Sequence, residues 1–243
     1  MSDIEKLKEM IDASGRIVFL GGAGVSTESG IPDFRSENGI FKAISEYGYP
    51  PETLLSRSFF DRHPDIFFKY YRGLLMNGDA KPNRAHYALA KLEKQGKLTA
   101  VATQNIDGLH TDAGSRNVYE LHGSIKRNYC MKCHKFYDDE FIAESDGVPH
   151  CTCGGIVKPD VVLYEEGLDY DTLSGAVTHI MRADMLIVGG TSLQVYPAAR
   201  LIDYYRGDRL VLINKSSTPY DSRADLVIHD SIGKVLGEAV GIE

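Results

Sequence analysis

Long apolar runs are missing from this sequence of 243 residues. Its apolar stretches are only about four residues long, whereas a helix that crosses a bilayer needs roughly twenty. The segment 1–12 also lacks the layout of a signal peptide. We therefore expect a soluble cytoplasmic protein without a membrane partner.

Positive charge is scarce as well. The chain has 27 lysines and arginines against 34 aspartates and glutamates, a formal net charge of −7. This balance argues against specific binding of nucleic acid, which depends on a basic surface. Internal repeats and flexible linkers are also absent. With 43% hydrophobic residues, the chain can bury a full core and is predicted to form one α/β domain over residues 1–243.

Cysteines are few, and all four lie in two close pairs, Cys130-x-x-Cys133 and Cys151-x-Cys153. A reducing compartment favours thiols or metal ligands over disulfides. Two close thiolate pairs match a tetrahedral structural zinc, which would have no open position for chemistry. A redox dithiol and unmetallated thiols are the alternatives. The adjacent histidines are interpreted as surface residues: His134 and His150.

A glycine-rich stretch near the amino terminus organises the rest of the chain. Residues 17–20 predict a short buried strand, and glycines at 21, 22 and 24 follow it as a tight turn. We expect amides of this turn to approach a phosphate, and a following helix to be capped by hydroxyl side chains at 26, 27 and 29. A glycine turn without a ligand is the alternative. The aromatic and arginine just beyond it, Phe34 and Arg35, suit a lid over a nucleotide.

Other apolar runs repeat this design at 98–103, 118–121, 183–192 and 209–214. Their endings in Gly, Ser, Thr or Asn, with a helical pattern at 83–95, indicate a parallel sheet with one ligand-binding edge. Beyond the run at 98–103 lies Gln104-Asn105-Ile106-Asp107, for which an Asx-rich turn is the alternative. His122 is a candidate general base, and a structural histidine is the alternative.

Two excursions interrupt this pattern. Aromatic clusters at helical spacing predict a helical insertion over 38–81, with the aromatics as its core, and the cysteines mark a zinc module over 124–158. The remaining segments, 1–37, 82–123 and 159–243, are assigned to the sheet core. An apolar strand is expected to resume that core at 158–166.

The segments 22–35, 103–110, 121–123 and 190–192, with Asn214 and the cysteine pairs, together resemble the sirtuins of bacterial or archaeal type, which are NAD-dependent protein lysine deacylases. The resemblance spans nearly the whole chain. It implies a Rossmann-like parallel sheet with helices on both faces, with a zinc module and a helical module bordering a cleft. The implied cofactors are NAD as co-substrate and one structural zinc ion.

The resemblance also implies roles for individual residues. The pyrophosphate and nicotinamide ribose would be bound by Ala23, Thr27, Phe34, Arg35 and Gln104. The nicotinamide end would be bound by Asn105, Ile106 and Asp107. The adenosine half would be bound by Thr191, Ser192, Asn214 and Ile232. His122 would be the catalytic base, and a substrate peptide would pair with the edge formed by Val161 and Val162.

The implied reaction removes acetyl or other apolar acyl groups from protein lysines, giving nicotinamide and O-acyl-ADP-ribose. The alternatives are an NAD-dependent mono-ADP-ribosyltransferase and a non-catalytic NAD-binding or zinc-containing interaction module. Tyr164-Glu165-Glu166 departs from the Phe-Gly-Glu common in relatives, which bears on peptide preference. The Tyr-x-x-Arg pair that relatives use for succinyl groups is not apparent in 41–49. The partner is an acyl-lysine protein or peptide, and a monomer is favoured.

Overall fold

The computed structural model describes residues 2–31, 43–75 and 80–242. Nine strands lie in these ranges: β1 Ile17–Gly21, β2 Leu98–Thr103, β3 Val118–Glu120, β4 Gly123–Cys130, β5 Phe136–Tyr137, β6 Val157–Val161, β7 Met185–Gly189, β8 Leu210–Ile213 and β9 Leu226–Ile228. Six of them form a parallel sheet in the order β3-β2-β1-β7-β8-β9. The strand order therefore changes direction between β1 and β7, and such a switch point opens a crevice at the carboxyl ends of the strands.

The central strands β1 and β7 are apolar along their whole length because helices cover both faces of the sheet. Every residue of both strands is buried, as expected for a parallel sheet between two helical layers. The strands predicted at 17–20, 98–103, 118–121, 183–192 and 209–214 are confirmed, whereas the three-residue edge strand β9 was not predicted.

Two layers of helices cover the faces of the parallel sheet. One layer packs Leu7, Leu89 and Leu236 against the sheet, and the other packs Ala176 and Ile180. The helices of these layers are Asp3–Asp12, Arg84–Lys94, Tyr170–Arg182 and Ile232–Val240, and a short helix Leu109–Asp112 follows β2. Among the described residues, none of the helices has both the length and the apolar character needed to cross a membrane.

A second, antiparallel sheet of three strands, called the small sheet below, has the order β5-β4-β6 and carries the cysteine pairs. The expectation that the parallel sheet core resumes at 158–166 is wrong for β6, which pairs with β4. The cause is visible in the strand itself, because Val157, Pro159 and Val161 are buried while the two residues between them are partly exposed. Such alternation is typical of a strand with one covered face, not of a central parallel strand.

Residues 43–75, which precede the helix Arg84–Lys94, are mostly helical. Their helices are Pro51–Leu54, Arg57–Arg62 and Pro64–Leu75, and residues 43–47 are helical too. Phe60, Phe67 and Tyr71 are almost completely buried, together with Ile125 and Val157 of the small sheet. The prediction that the aromatics form a core is confirmed, and the small sheet shares that core. The predicted limits 38–81 and 124–158 stay predictions.

Two glycine loops touch at the switch point. Gly24 donates its amide to the carbonyl oxygen of Gly190 at 2.8 Å, and a Cβ added at Gly24 would lie 2.7 Å from the Gly190 Cα. Atoms joined by no bond do not approach so closely, so a side chain at Gly24 would force the loops apart.

Gly24→Ala should therefore lower the free energy of unfolding by about 1–3 kcal/mol, the usual effect of overpacking. Urea unfolding measures this change. Gly167→Ala is the matched control, since nothing lies within 4 Å of its added Cβ. Equal stabilities of the two variants would contradict the packing argument.

Candidate functional site

A cavity of about 290 Å³ lies between the carboxyl ends of the parallel strands and the segment that follows β6. It opens at the switch point of the sheet, where wound α/β folds bind their ligands. Ten of the predicted site residues line it: Ala23, Gln104, Asn105, Ile106, Asp107, His122, Val161, Val162, Thr191 and Ser192. Residues far apart in the sequence are thus brought to one place.

The glycine turn after β1 is built differently from the prediction. Two short 3₁₀ turns, Ala23–Val25 and Thr27–Ser29, follow the strand, and neither has a side-chain cap. The prediction that hydroxyl side chains at 26, 27 and 29 cap a helix here is wrong. The Ser26 and Ser29 hydroxyls make tertiary contacts instead, and the Thr27 hydroxyl makes a local hydrogen bond.

Ser26 joins two predicted site residues and was not itself predicted to belong to the site. Its hydroxyl donates to Asp107 Oδ2 at 2.6 Å and accepts from Asn105 Nδ2 at 2.9 Å. Asp107 Oδ1 also accepts from the Leu109 amide at 2.9 Å. These contacts fix an amide and a carboxylate side by side at the cavity wall. The only sequence signal for Ser26 is a hydroxyl residue in the glycine-rich stretch, which predicts a helix cap and not a tertiary contact.

The carboxyl group of Asp107 lies in a mostly buried position. Burial raises its pKa above the ordinary value, while the hydrogen bonds from Ser26 and the Leu109 amide act in the opposite direction. Each carboxylate oxygen has two lone pairs, so both can accept a further donor from a ligand in the cavity.

His122 lies at the end of β3, beside the end of β2. Its Nδ1 is 3.0 Å from the carbonyl oxygen of Gln104. A carbonyl oxygen only accepts, so the hydrogen bond assigns the proton to Nδ1 and leaves Nε2 as the basic nitrogen of the neutral ring. The His122 carbonyl in turn accepts from the Val162 amide at 2.9 Å, which ties the small sheet to the main one.

Asn214 supports the cavity wall from behind. It accepts from the Thr191 amide and donates to the Thr191 carbonyl, both at 2.9 Å. Gln104 Nε2 lies 3.4 Å from the Thr191 hydroxyl on the other side. The loop after β7 is therefore held by side chains that follow β8 and β2, and Thr191 lines the cavity.

Three predicted site residues do not line this cavity. Asn214 braces Thr191, Ile232 is only 3% exposed and belongs to the core, and the Thr27 hydroxyl donates to the Gly24 carbonyl at 3.0 Å. Phe34 and Arg35 lie outside the described residues. The ligand-binding roles implied for these five residues stay predictions, as do those of the ten residues that line the cavity.

The four cysteine sulfurs form one cluster in the small sheet. All lie within 4.8 Å of one another, with Cys130 and Cys153 at 3.4 Å and Cys133 and Cys151 at 3.6 Å. Thiolates about 2.3 Å from a tetrahedral zinc are roughly 3.8 Å apart. The cluster fits one zinc ion and contains neither neighbouring histidine. His134 and His150 are exposed, as predicted.

The profile of the Sir2 family matches residues 22–197. The chain belongs to the Sir2 family. This match covers the glycine turn, the Gln104–Asp107 segment, His122 and the cysteines, so the resemblance to sirtuins is confirmed.

Relatives of this Sir2 family member extend over the whole chain. An NAD-dependent protein deacetylase of Clostridium perfringens is 65% identical over 239 residues, covering 98% of both chains. A solved complex of a Sir2 homologue with NAD is 40% identical, with a TM-score of 0.87, and the match covers 98% of this chain and 92% of that one. A Sir2 structure with a deacetylated peptide and acetyl ADP-ribose is 39% identical, with a TM-score of 0.87 and 99% coverage of both chains.

Cys153→Ser should release the zinc of this Sir2 family member and destabilise the fold, because a closed four-thiolate site contributes directly to folding. Elemental analysis of the purified protein, read together with its thermal unfolding, measures both effects. His150→Ala is the control and should keep one zinc per chain. Metal loss in the histidine variant, or normal stability without metal in the cysteine variant, would contradict the assigned ligands.

Proposed function

We propose that this chain is an NAD-dependent protein deacylase that removes acetyl groups from lysine side chains and forms nicotinamide and O-acyl-ADP-ribose. The observation that carries the proposal is the meeting of Asn105, Asp107 and His122 in one cavity at the switch point of the sheet. Family membership and the NAD-dependent deacetylase relative support it.

The nicotinamide end of NAD would bind where Ser26 holds Asn105 and Asp107. The carboxamide of nicotinamide has an N–H₂ donor group that a buried carboxylate can accept. Asp107 is fixed by two hydrogen bonds, so little rearrangement is needed on binding, which favours affinity. Ile106 supplies an apolar wall beside them.

His122 would act on the ribose. When bound, NAD supplies an electrophilic ribose carbon and a nicotinamide leaving group. The hydrogen bond to the Gln104 carbonyl keeps the proton on Nδ1, so Nε2 can accept a proton from a ribose hydroxyl, as a general base does. The catalytic assignment of His122 rests on this tautomer and on its place in the cavity wall.

The acyl-lysine would enter along Val161, Val162 and Leu163, which line the cavity. β6 is an edge strand of the small sheet, so a peptide can add to it as a further strand. An apolar channel also excludes water from the reacting atoms, which strengthens the electrostatic contacts within the site. The predicted monomeric state and cytoplasmic location stay predictions.

The charge of the cavity favours an uncharged acyl group. Among the described residues, its lining includes the carboxylates of Glu52, Asp107 and Glu165 but no lysine or arginine. Glu166 lines it too, with its charge paired to Arg57 and Lys158. A succinyl or malonyl carboxylate would therefore meet like charges and no cationic partner, which disfavours binding.

The proposed activity is tested by mass spectrometry of a reaction that contains the purified protein, NAD and an acetyl-lysine peptide. We expect equal amounts of deacetylated peptide, nicotinamide and O-acetyl-ADP-ribose. An unchanged peptide with ADP-ribose attached to protein would support an ADP-ribosyltransferase instead, and no consumption of NAD would leave only a binding module.

Ser26→Ala should lower kcat/KM for NAD about tenfold or more, because a hydrogen bond to a buried carboxylate contributes roughly 1.5–3 kcal/mol. Steady-state rates of nicotinamide release measure this change. Ser29→Ala, which alters a hydroxyl of the same stretch outside the cavity, is the matched control. An equal loss in both variants would refute the special role of Ser26.

The acyl preference follows from the charge of the cavity. At equal peptide sequence, kcat/KM for acetyl-lysine should exceed that for succinyl-lysine by at least about tenfold, the effect of roughly 1.4 kcal/mol of like-charge repulsion. Competition between the two peptides in one reaction measures the ratio. A preference for succinyl-lysine would contradict the interpretation of the lining.

A further inference from the structure

The loop after β6 is attached to the helical segment at one side of the cavity. Its residues Tyr164, Glu165 and Glu166 all line the cavity. The Tyr164 amide donates to the Leu55 carbonyl, and the Arg57 amide donates to the Tyr164 carbonyl, both at 3.0 Å. Val161, Val162 and Leu163 form the part of the cavity lining that we call the substrate-side wall. The loop therefore continues this wall to the start of the helix Arg57–Arg62.

Glu165 adds a two-point side-chain contact to this junction. Its Oε2 accepts from the Ser58 amide at 2.9 Å, and its Oε1 accepts from the Ser58 hydroxyl at 3.0 Å. An ionised carboxylate forms stronger hydrogen bonds than a neutral acceptor does. The contact joins residues 107 positions apart in the sequence, so it ties two separate parts of the cavity wall.

The backbone of Glu165 is strained. Its φ angle is +77°, in the left-handed region that glycine adopts readily and that a residue with a Cβ adopts only at a cost. In this conformation the carboxylate reaches Ser58. The side-chain contact offsets the backbone strain, and a loop held in this way has one defined shape.

We propose that Glu165 is a positioning residue that fixes the substrate-side wall of the cavity in the shape that receives the acyl-lysine peptide. The proposal rests on the proposed deacylase function for its substrate. A wall already ordered in the free protein loses less conformational entropy when the peptide binds, which raises affinity. Glu165 does not touch the nicotinamide side formed by Asn105 and Asp107, so NAD binding should not depend on it.

Contacts of Glu166 hold the loop after β6 in place when Glu165 is substituted. Glu166 forms ion pairs with Arg57 at 3.0 Å and with Lys158 at 3.3 Å, and it accepts from the Leu163 amide at 2.8 Å. Substitution of Glu165 therefore removes one restraint without removing the wall.

The test compares Glu165→Gly with the wild-type protein in steady-state deacetylation. Glycine tolerates the left-handed backbone, so this variant loses the tie to Ser58 without adding strain. We expect KM for the acetyl-lysine peptide to rise about three- to fivefold, the scale of one exposed charged contact. KM for NAD and kcat at saturating peptide should not change.

Two further variants distinguish the loss of the Glu165–Ser58 hydrogen bonds from the loss of the Glu165 charge. Glu165→Gln loses the same charge but keeps an oxygen that can accept from the Ser58 amide, so it should restore part of the peptide affinity. Ser58→Ala removes the hydroxyl partner, and its effect should be smaller when Glu165 is already glycine, because contacting residues are not additive. Full additivity, or a glutamine variant as weak as the glycine variant, would overturn the proposal.

Hydrogen exchange of the Ser58 amide in the free protein tests the tie without any reaction. Exchange should be faster in Glu165→Gly than in the wild type, and equal exchange rates would overturn the proposal. If the Ser58 amide of the wild type exchanges slowly but the protein removes no acetyl group, the proposed deacylase function is wrong and the Glu165–Ser58 contact is still supported. An unchanged or lower peptide KM in Glu165→Gly, or an equal rise in KM for NAD, would also overturn the positioning role.

Discussion

The contact between two glycine loops is the constraint on which the rest of the structure depends. Gly24 and Gly190 meet where the strand order changes direction, with no room for a side chain at Gly24. This contact brings the loop after β1 against the loop after β7. Ser26 and Thr191 are thereby placed in the wall of the same cavity, and the chemistry of the site follows from that arrangement.

The small sheet and the helical segment complete the cavity from the opposite side. They share one apolar core, and the hydrogen bond from Val162 to the His122 carbonyl joins them to the main sheet. The wall proposed for the peptide is therefore continuous with the strand end that carries His122. In the proposed reaction, such continuity would let an acyl-lysine and the ribose of NAD meet beside His122 in a space shielded from water, where positioned groups act most strongly.

Much of this organisation could be predicted from the sequence. Five of the six parallel strands, the zinc cluster and the family follow from apolar runs, cysteine spacing and motifs, because these features are local. The role of Ser26 could not be predicted, because it depends on a partner 81 residues away. The antiparallel pairing of β6 was not predicted, because the apolar residues at 161–163 favoured a central strand over the alternation at Val157–Val161. The contact of Asn214 with Thr191 could not be predicted either, because Thr191 lies in the loop that follows another strand, β7.

We propose that His122 is the base that acts after NAD has bound. The most direct measurement combines calorimetric titration of NAD with the rate of peptide deacetylation for His122→Ala, with the exposed His63→Ala as the control. For His122→Ala we expect NAD affinity within about threefold of the wild type and a loss of turnover of at least about a hundredfold, the scale of general base catalysis. Retained turnover, or lost turnover that merely follows lost NAD binding, would contradict the assignment.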